Sequence, residues 1–233
     1  MSDLAAAPPV VLAHGWGGSF ASIFEPYGWR EALEAEGREV IGIDLPGHGT
    51  ARPTSHDPAD YADLASGLAA KLPDGPLDGI GFSLGSKLLL ELECRSPGRF
   101  GRLVLGGVGA NVFAPERGVE AVADALETGD AENAPPPVRM MVKYSEASRS
   151  DPLALAAVLR RPANPVHTAD RLKQVRARIL LVNGANDKGV APVDDLTALI
   201  PGCLSVTLDD IGHIDLPESG AFRRAAVDFL TKR

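Results

Sequence analysis

Apolar residues fall into six short runs along the chain, at 9–13, 40–45, 77–82, 103–108, 179–182 and 204–208. The runs are rich in Val, Ile and Leu, and most lack polar–apolar alternation. Strands covered on both faces have this pattern, which implies a parallel sheet with helices on each side. Between the runs, apolar residues recur at helical spacing in 19–36, 60–72, 84–95, 192–200 and 217–231. In the last of these Phe222, Ala226, Phe229 and Leu230 share a side, while Arg223, Arg224 and Lys232 point elsewhere. Alternating strands and helices predict a doubly wound α/β fold with about six strands. Residues 111–176 interrupt the alternation. They hold no good strand, and Pro115, Pro135, Pro136, Pro137, Pro152, Pro162 and Pro165 punctuate short helical stretches at 116–127, 138–148 and 153–160. A structureless loop of this length is improbable in a compact domain. The expectation is a helical cap, 111–176, inserted into a core made of 1–110 and 177–233.

Composition narrows the class without deciding the function. With 45% hydrophobic and 23% charged residues, the 233-residue chain reads as an ordinary globular protein. A net charge of −8 and the lack of a basic stripe argue against nucleic acid. No apolar run approaches the roughly 18 uncharged residues of a membrane helix. The N-terminus, Met-Ser-Asp-Leu-Ala-Ala-Ala-Pro-Pro, lacks a basic segment followed by a long apolar one, so the expected location is the cytoplasm. Cys94 and Cys203 are too few for a disulfide framework or a thiolate metal site and read as reduced, buried thiols.

The chemistry concentrates at the ends of the apolar runs. Gly81-Phe82-Ser83-Leu84-Gly85 follows the run at 77–82 and opens the helix at 84–95. A strand turning abruptly into a helix strains its central residue, and side chains at the flanking glycines would collide across the turn. Such a turn exposes Ser83 at the C-terminal edge of the sheet as a nucleophile; the alternative is a serine that merely caps a helix. A serine hydroxyl needs a base. His213, between the last strand and the last helix, lies at that same edge, whereas His14 precedes the nucleophile and is followed by glycines. His48 sits in a Gly-His-Gly turn, His56 in a polar loop and His167 in the expected cap. For the carboxylate that orients the imidazole, Asp187 follows the run at 179–182 and falls between Ser83 and His213 in the chain. Asp194, Asp195, Asp209 and Asp210 are its rivals. The Gly-rich turn His14-Gly15-Trp16-Gly17-Gly18 can leave the Trp16 amide free to join the Leu84 amide in an oxyanion hole. That turn lacks the spacing of a nucleotide cradle.

Together these residues resemble the α/β-hydrolase superfamily, particularly its compact bacterial esterase, C–C hydrolase and perhydrolase-like members. The resemblance spans nearly the whole chain through His14-Gly15-Trp16-Gly17, Asp44-Leu45-Pro46-Gly47-His48-Gly49, Gly81 to Gly85, Gly184-Ala185-Asn186-Asp187 and Gly212-His213. It implies a Ser83, Asp187, His213 triad, a Trp16 and Leu84 oxyanion hole, a cap where the Pro-rich insertion lies, and neither metal nor organic cofactor. Members of this fold that cleave haloalkanes or epoxides carry Asp at the elbow, and Ser83 argues against both. Two departures stand out. Only eight residues precede Pro9, too few for the family's N-terminal antiparallel strand pair. The strand at 40–45 is therefore expected at the sheet edge, shielded by Arg38 and Glu39 or by a second copy. Thr50-Ala51 also departs from the family's usual Ser after that turn.

The leading expectation is hydrolysis of a small to medium carboxylic ester through an acyl-enzyme. The expected pocket is apolar: Trp16, Phe20, Phe24 and Leu84 from the core, and Met140, Met141 and Tyr144 from the cap. Met140 and Met141 can equally be filling the cap's own core. The alternatives are a C–C bond, lactone or thioester hydrolase, or a non-catalytic binder of small ligands. No nucleic-acid or membrane partner is expected, and the chain is expected as a monomer or homodimer.

Overall fold

In a computed structural model, described for residues 7–116 and 118–232, six strands form one sheet in the order β2-β1-β3-β4-β5-β6. The strands are β1 (Val10–Ala13), β2 (Val40–Ile43), β3 (Leu77–Phe82), β4 (Phe100–Gly106), β5 (Arg178–Gly184) and β6 (Leu204–Leu208), and every pairing is parallel. All strand C-termini therefore open onto one edge. The helices are α1 (Phe20–Ile23), α2 (Trp29–Glu34), α3 (Leu64–Ala69), α4 (Leu84–Arg95), α5 (Glu120–Thr128), α6 (Pro136–Glu146), α7 (Pro152–Arg160), α8 (Ala169–Leu172), α9 (Asp194–Thr197) and α10 (Gly220–Thr231).

The period of two along each strand divides the core between the two faces of the sheet. Val11 and Ala13 join Leu88, Leu89, Leu103, Leu105 and Leu181 on one face. Val10 and Leu12 join Trp29, Phe82, Val104, Val182 and Phe222 on the other. Both faces are covered over β1, β3, β4 and β5, which is why these strands lack alternation in sequence, whereas β6 is largely exposed.

Among the described residues no strand precedes β1, and β2 pairs with β1 alone, so β2 is an edge strand as expected. Arg38 does not shield it. Its guanidinium is buried and turned inward, 2.6 Å from Asp78 Oδ2, and it donates to the carbonyls of Pro8 and Leu230. Helix 19–36 is also not continuous: a 3₁₀ turn at Glu25–Tyr27 separates α1 from α2, with Pro26 inside it and Gly28 left-handed at φ 70°. Residues 192–200 shorten to the single turn of α9.

The described residues of 111–176 contain helices and turns but no strand. Val122, Ala123, Leu126, Val138, Leu155 and Ala156 form a small core of their own. Ala157 and Val158 of α7 also join the main core, so this segment is packed onto the sheet domain rather than merely tethered to it.

Helix α4 is held at its far end by Glu93, which is fully buried. Its carboxylate accepts four backbone N–H groups, from Gly98, Arg176 and Ala177 at Oε1 and from Phe100 at Oε2. The end of α4 is thereby stitched to the segments leading into β4 and β5.

Candidate active site

Ser83 joins β3 to α4 with φ 50° and ψ −110°, a conformation rare for a residue with a side chain. The surrounding contacts account for it. A Cβ on Gly81 would stand 2.6 Å from the Ser86 backbone, and one on Gly85 would stand 2.1 Å from the Ala13 carbonyl oxygen. Only glycine allows the helix to start this close to β1 and to its own strand. The Ser83 amide donates to Gly106 O at 2.8 Å, and the buried Ser86 hydroxyl donates to the same oxygen at 2.8 Å.

Three predicted residues meet at the sheet edge. His213 Nε2 lies 3.0 Å from Ser83 Oγ, and His213 Nδ1 lies 2.5 Å from Asp187 Oδ2. Asp187 is buried, and its other oxygen accepts the Gly189 amide at 3.2 Å. The loop bearing His213 is held against the end of β5, where Asn186 N donates to Ile211 O at 3.0 Å. A Cβ on Gly184 would come within 2.1 Å of that same Ile211 oxygen. None of the rival carboxylates bonds to His213; Asp194 and Asp195 begin α9 instead.

Gly107 escaped the sequence reading. It sits just past β4 at φ 70°, and a Cβ there would fall 2.9 Å from His213 Cε1. Its lack of a side chain leaves room for the imidazole, which also packs at 5.1 Å centroid distance on Phe82. The pair Gly106-Gly107 at the end of an apolar run was the available signal. Asn183 is a second such residue: its side-chain amide pairs with both backbone groups of Val108, fixing the ends of β4 and β5 relative to each other.

The remaining histidines do other work. His14 donates from Nδ1 to Gly15 O at 2.7 Å and accepts the Leu45 amide at Nε2, so it is a neutral strut under the Gly-rich turn. Burial depresses its pKa to about 4. His48 packs against it at 5.2 Å, donates to Pro46 O, and is depressed to about 3 by the same desolvation. Asp44 fastens the turn after β2 by accepting from Phe20 N, Thr50 N and the Thr50 hydroxyl.

The Leu84 amide is at the first position of α4, where no intrahelical acceptor exists. The Trp16 amide has no hydrogen-bond acceptor among the described residues. The Trp16 ring is anchored to the inserted helices, donating from Nε1 to Leu155 O at 3.3 Å. Trp16, Leu84 and Met141 line a cavity of about 630 Å³, together with the charged side chains of Lys87, Glu116 and Arg161.

The structure does not bring the other expected pocket residues to this wall. Phe24 is 0% exposed and meets Trp29 edge to face at 5.6 Å between ring centroids, on the opposite face of the sheet. Phe20 covers Gly42 on the edge strand and lies under Arg30. Met140 points to solvent at 54% exposure. Tyr144 packs beside Gly17 with its hydroxyl buried and unpartnered, and burial raises its pKa. Four aromatic and apolar positions were thus assigned by residue type, and three charged ones were passed over.

No group of three or more His, Cys, Asp or Glu among the described residues is placed to hold a metal ion. No helix among them is long and apolar enough to cross a membrane. Cys94 and Cys203 are half-buried free thiols raised to about 11 and about 12 by burial, hence poor nucleophiles.

The sequence profile described as "Alpha/beta hydrolase family" matches residues 10–226, and the chain belongs to this family. Among curated relatives, the 2-hydroxy-6-oxononadienedioate/2-hydroxy-6-oxononatrienedioate hydrolase of Cupriavidus pinatubonensis is 29% identical over 266 residues, covering 97% of this chain and 88% of that protein. The pimeloyl-[acyl-carrier protein] methyl ester esterase of Aromatoleum aromaticum is 30% identical over 240 residues, covering 88% and 91%. The esterase of the same description from Neisseria meningitidis is 35% identical over 123 residues; this match spans 51% of the chain and 43%, under half, of that protein.

Proposed function

We propose that the chain is a serine hydrolase that cleaves carboxylic esters through an acyl-enzyme. The observation that carries this reading is the continuous contact from Asp187 Oδ2 to His213 Nδ1 and from His213 Nε2 to Ser83 Oγ, at 2.5 and 3.0 Å. In the proposed reaction His213 Nε2 takes the Ser83 proton as Oγ attacks the acyl carbon. Buried Asp187 holds the tautomer with the proton on Nδ1 and stabilises the imidazolium that forms. The amides of Trp16 and Leu84 receive the oxyanion. His213 returns its proton to the alcohol that leaves, then activates water to attack the acyl-enzyme and regenerate Ser83. We read the inserted helices of 111–176 as a cap over the acyl group, because Trp16 joins the oxyanion turn to α7 through Leu155.

Ester cleavage is supported by the similarity to the Aromatoleum aromaticum esterase across most of both chains. The similarity to the Cupriavidus pinatubonensis hydrolase supports C–C cleavage as the second reading. Both use the same nucleophile, so two experiments are needed. A fluorophosphonate probe should label Ser83 in the wild type and not in Ser83→Ala. A graded panel of p-nitrophenyl esters set beside a ring-fission diketone should show the esters turned over faster. A Ser83→Ala protein with wild-type ester turnover would refute the assignment.

A further inference from the structure

The cavity that Leu84, the residue after the nucleophile, lines with Trp16 has both apolar walls, from Trp16, Leu84 and Met141, and charged ones, from Lys87, Glu116 and Arg161. Lys87 enters from the elbow helix one turn beyond the nucleophile, its amide donating to Ser83 O at 3.1 Å. Arg161 enters from the end of α7, with its side chain only 2% exposed. Glu116 bridges them, 3.1 Å from Lys87 Nζ and 3.0 Å from Arg161 Nη2. Burial alone would raise the Glu116 pKa, but the two cations outweigh it and hold the group below its ordinary value, ionised.

Two cations thus face one carboxylate, the sole acidic side chain on this cavity wall among the described residues. Arg161 Nη1 donates to Val158 O, but its buried Nε has no acceptor. A strut pinning the inserted helices to α4 would need one cation and one anion. With side-chain exposures of 15% for Lys87 and 2% for Arg161, a surplus cation here is largely out of water and is costly unless an anion joins it. The surplus also runs against the chain as a whole, whose net charge is −8, so it is a local feature of this cavity.

Resting on the serine hydrolase reading above, we infer that Lys87 and Arg161 bind a free carboxylate at the far end of the acyl group, making monoesters of short dicarboxylic acids the preferred substrates. Glu116 orients the two cations and limits how strongly they hold the anion. One helical turn separates Lys87 from the nucleophile, about 6 Å of rise. Allowing for the lysine stem, that span suits about three to five carbons between the scissile carbonyl and the carboxylate.

The test compares monomethyl glutarate with methyl pentanoate, which match in length and differ in the terminal carboxylate. The wild type should favour the anionic ester by about tenfold or more in kcat/KM, as expected for a charge-assisted contact. Lys87→Met and Arg161→Met should each lower that ratio, whereas Glu116→Gln should raise it by removing the competing charge. If the three residues are only a strut, all three substitutions move both esters together, which would overturn the inference. A measurement on the unsubstituted protein avoids any folding defect: glutaramate, the half-amide of glutaric acid, should protect Ser83 from fluorophosphonate labelling at a concentration about tenfold below that of the neutral pentanamide. Labelling that glutaramate and pentanamide block equally overturns the carboxylate subsite and leaves the hydrolase reading intact. No labelling at all overturns the hydrolase reading, and the inference with it.

Discussion

Replacing Glu93 tests whether the elbow helix is held by its far end as well as by its glycines. The carboxylate is fully buried and accepts four backbone N–H groups at 2.8, 2.9, 3.0 and 3.1 Å. In Glu93→Ala all four donors lose their acceptor, the Phe100 and Ala177 amides in buried contacts and the Gly98 and Arg176 amides in part-buried ones that water can reach. At about 1 kcal/mol per stranded donor, with the two buried ones setting the lower bound, the loss is about 2–4 kcal/mol. In a chain of this size each kcal/mol corresponds to about 2–4 °C in Tm, so Tm should fall by about 4–16 °C. Glu93→Gln separates the acceptor from the charge. Its carbonyl oxygen can keep the Gly98, Arg176 and Ala177 amides, but its amino group would face the Phe100 N–H. It should therefore lose clearly less than the alanine variant.

The assay is urea and thermal unfolding followed by circular dichroism, with Glu36→Ala as an exposed control expected within about 0.5 kcal/mol of wild type. A Glu93→Ala protein within about 1 kcal/mol of wild type would refute the reasoning. So would a glutamine variant as unstable as the alanine one, since the loss could not then be traced to stranded donors.

Asp187→Asn should lower ester turnover by about 10³–10⁴-fold while labelling at Ser83 slows and unfolding is little changed, because the amide can turn the imidazole to the wrong tautomer; turnover within tenfold of wild type would exclude Asp187 from the relay. Gly85→Ala forces a Cβ to within 2.1 Å of the Ala13 oxygen and should abolish fluorophosphonate labelling even in whatever fraction folds. His14 and His167, both depressed by burial to about 4, are neutral when folded and gain a proton more readily when unfolded. Their contribution is present above pH about 6.5 and is lost as pH falls toward 4, so Tm should drop across that window. The drop should be shallower in His167→Gln, and an unchanged slope would discount that residue.

The central strands were legible because burial on both faces writes unbroken Val, Ile and Leu into the chain. The elbow was legible because steric exclusion leaves little but glycine at 81 and 85. Helix continuity was less so: the apolar spacing of 19–36 persists through Pro26 and Gly28, where the backbone turns. The pocket was the least legible part. A large apolar residue near a motif can face either side of a sheet, and Phe24 faces away from the site while Trp16, eight positions earlier, faces it.

The charged residues of the cavity show the same limit from the opposite direction. Lys87, Glu116 and Arg161 are spread across 75 positions of sequence, and in sequence each reads as a solvated surface charge. Only the tertiary fold, which brings Glu116 and the end of α7 to Lys87 of α4, converts them into one partly buried cluster with a positive surplus on the cavity that Leu84 lines. Chemistry that depends on a backbone constraint, such as the strained turn at Ser83, leaves its mark in adjacent glycines. Chemistry that depends on desolvating distant charges leaves no local mark. That is why the nucleophile could be proposed from five consecutive residues, and why the group it acts on had to be sought in the cavity wall.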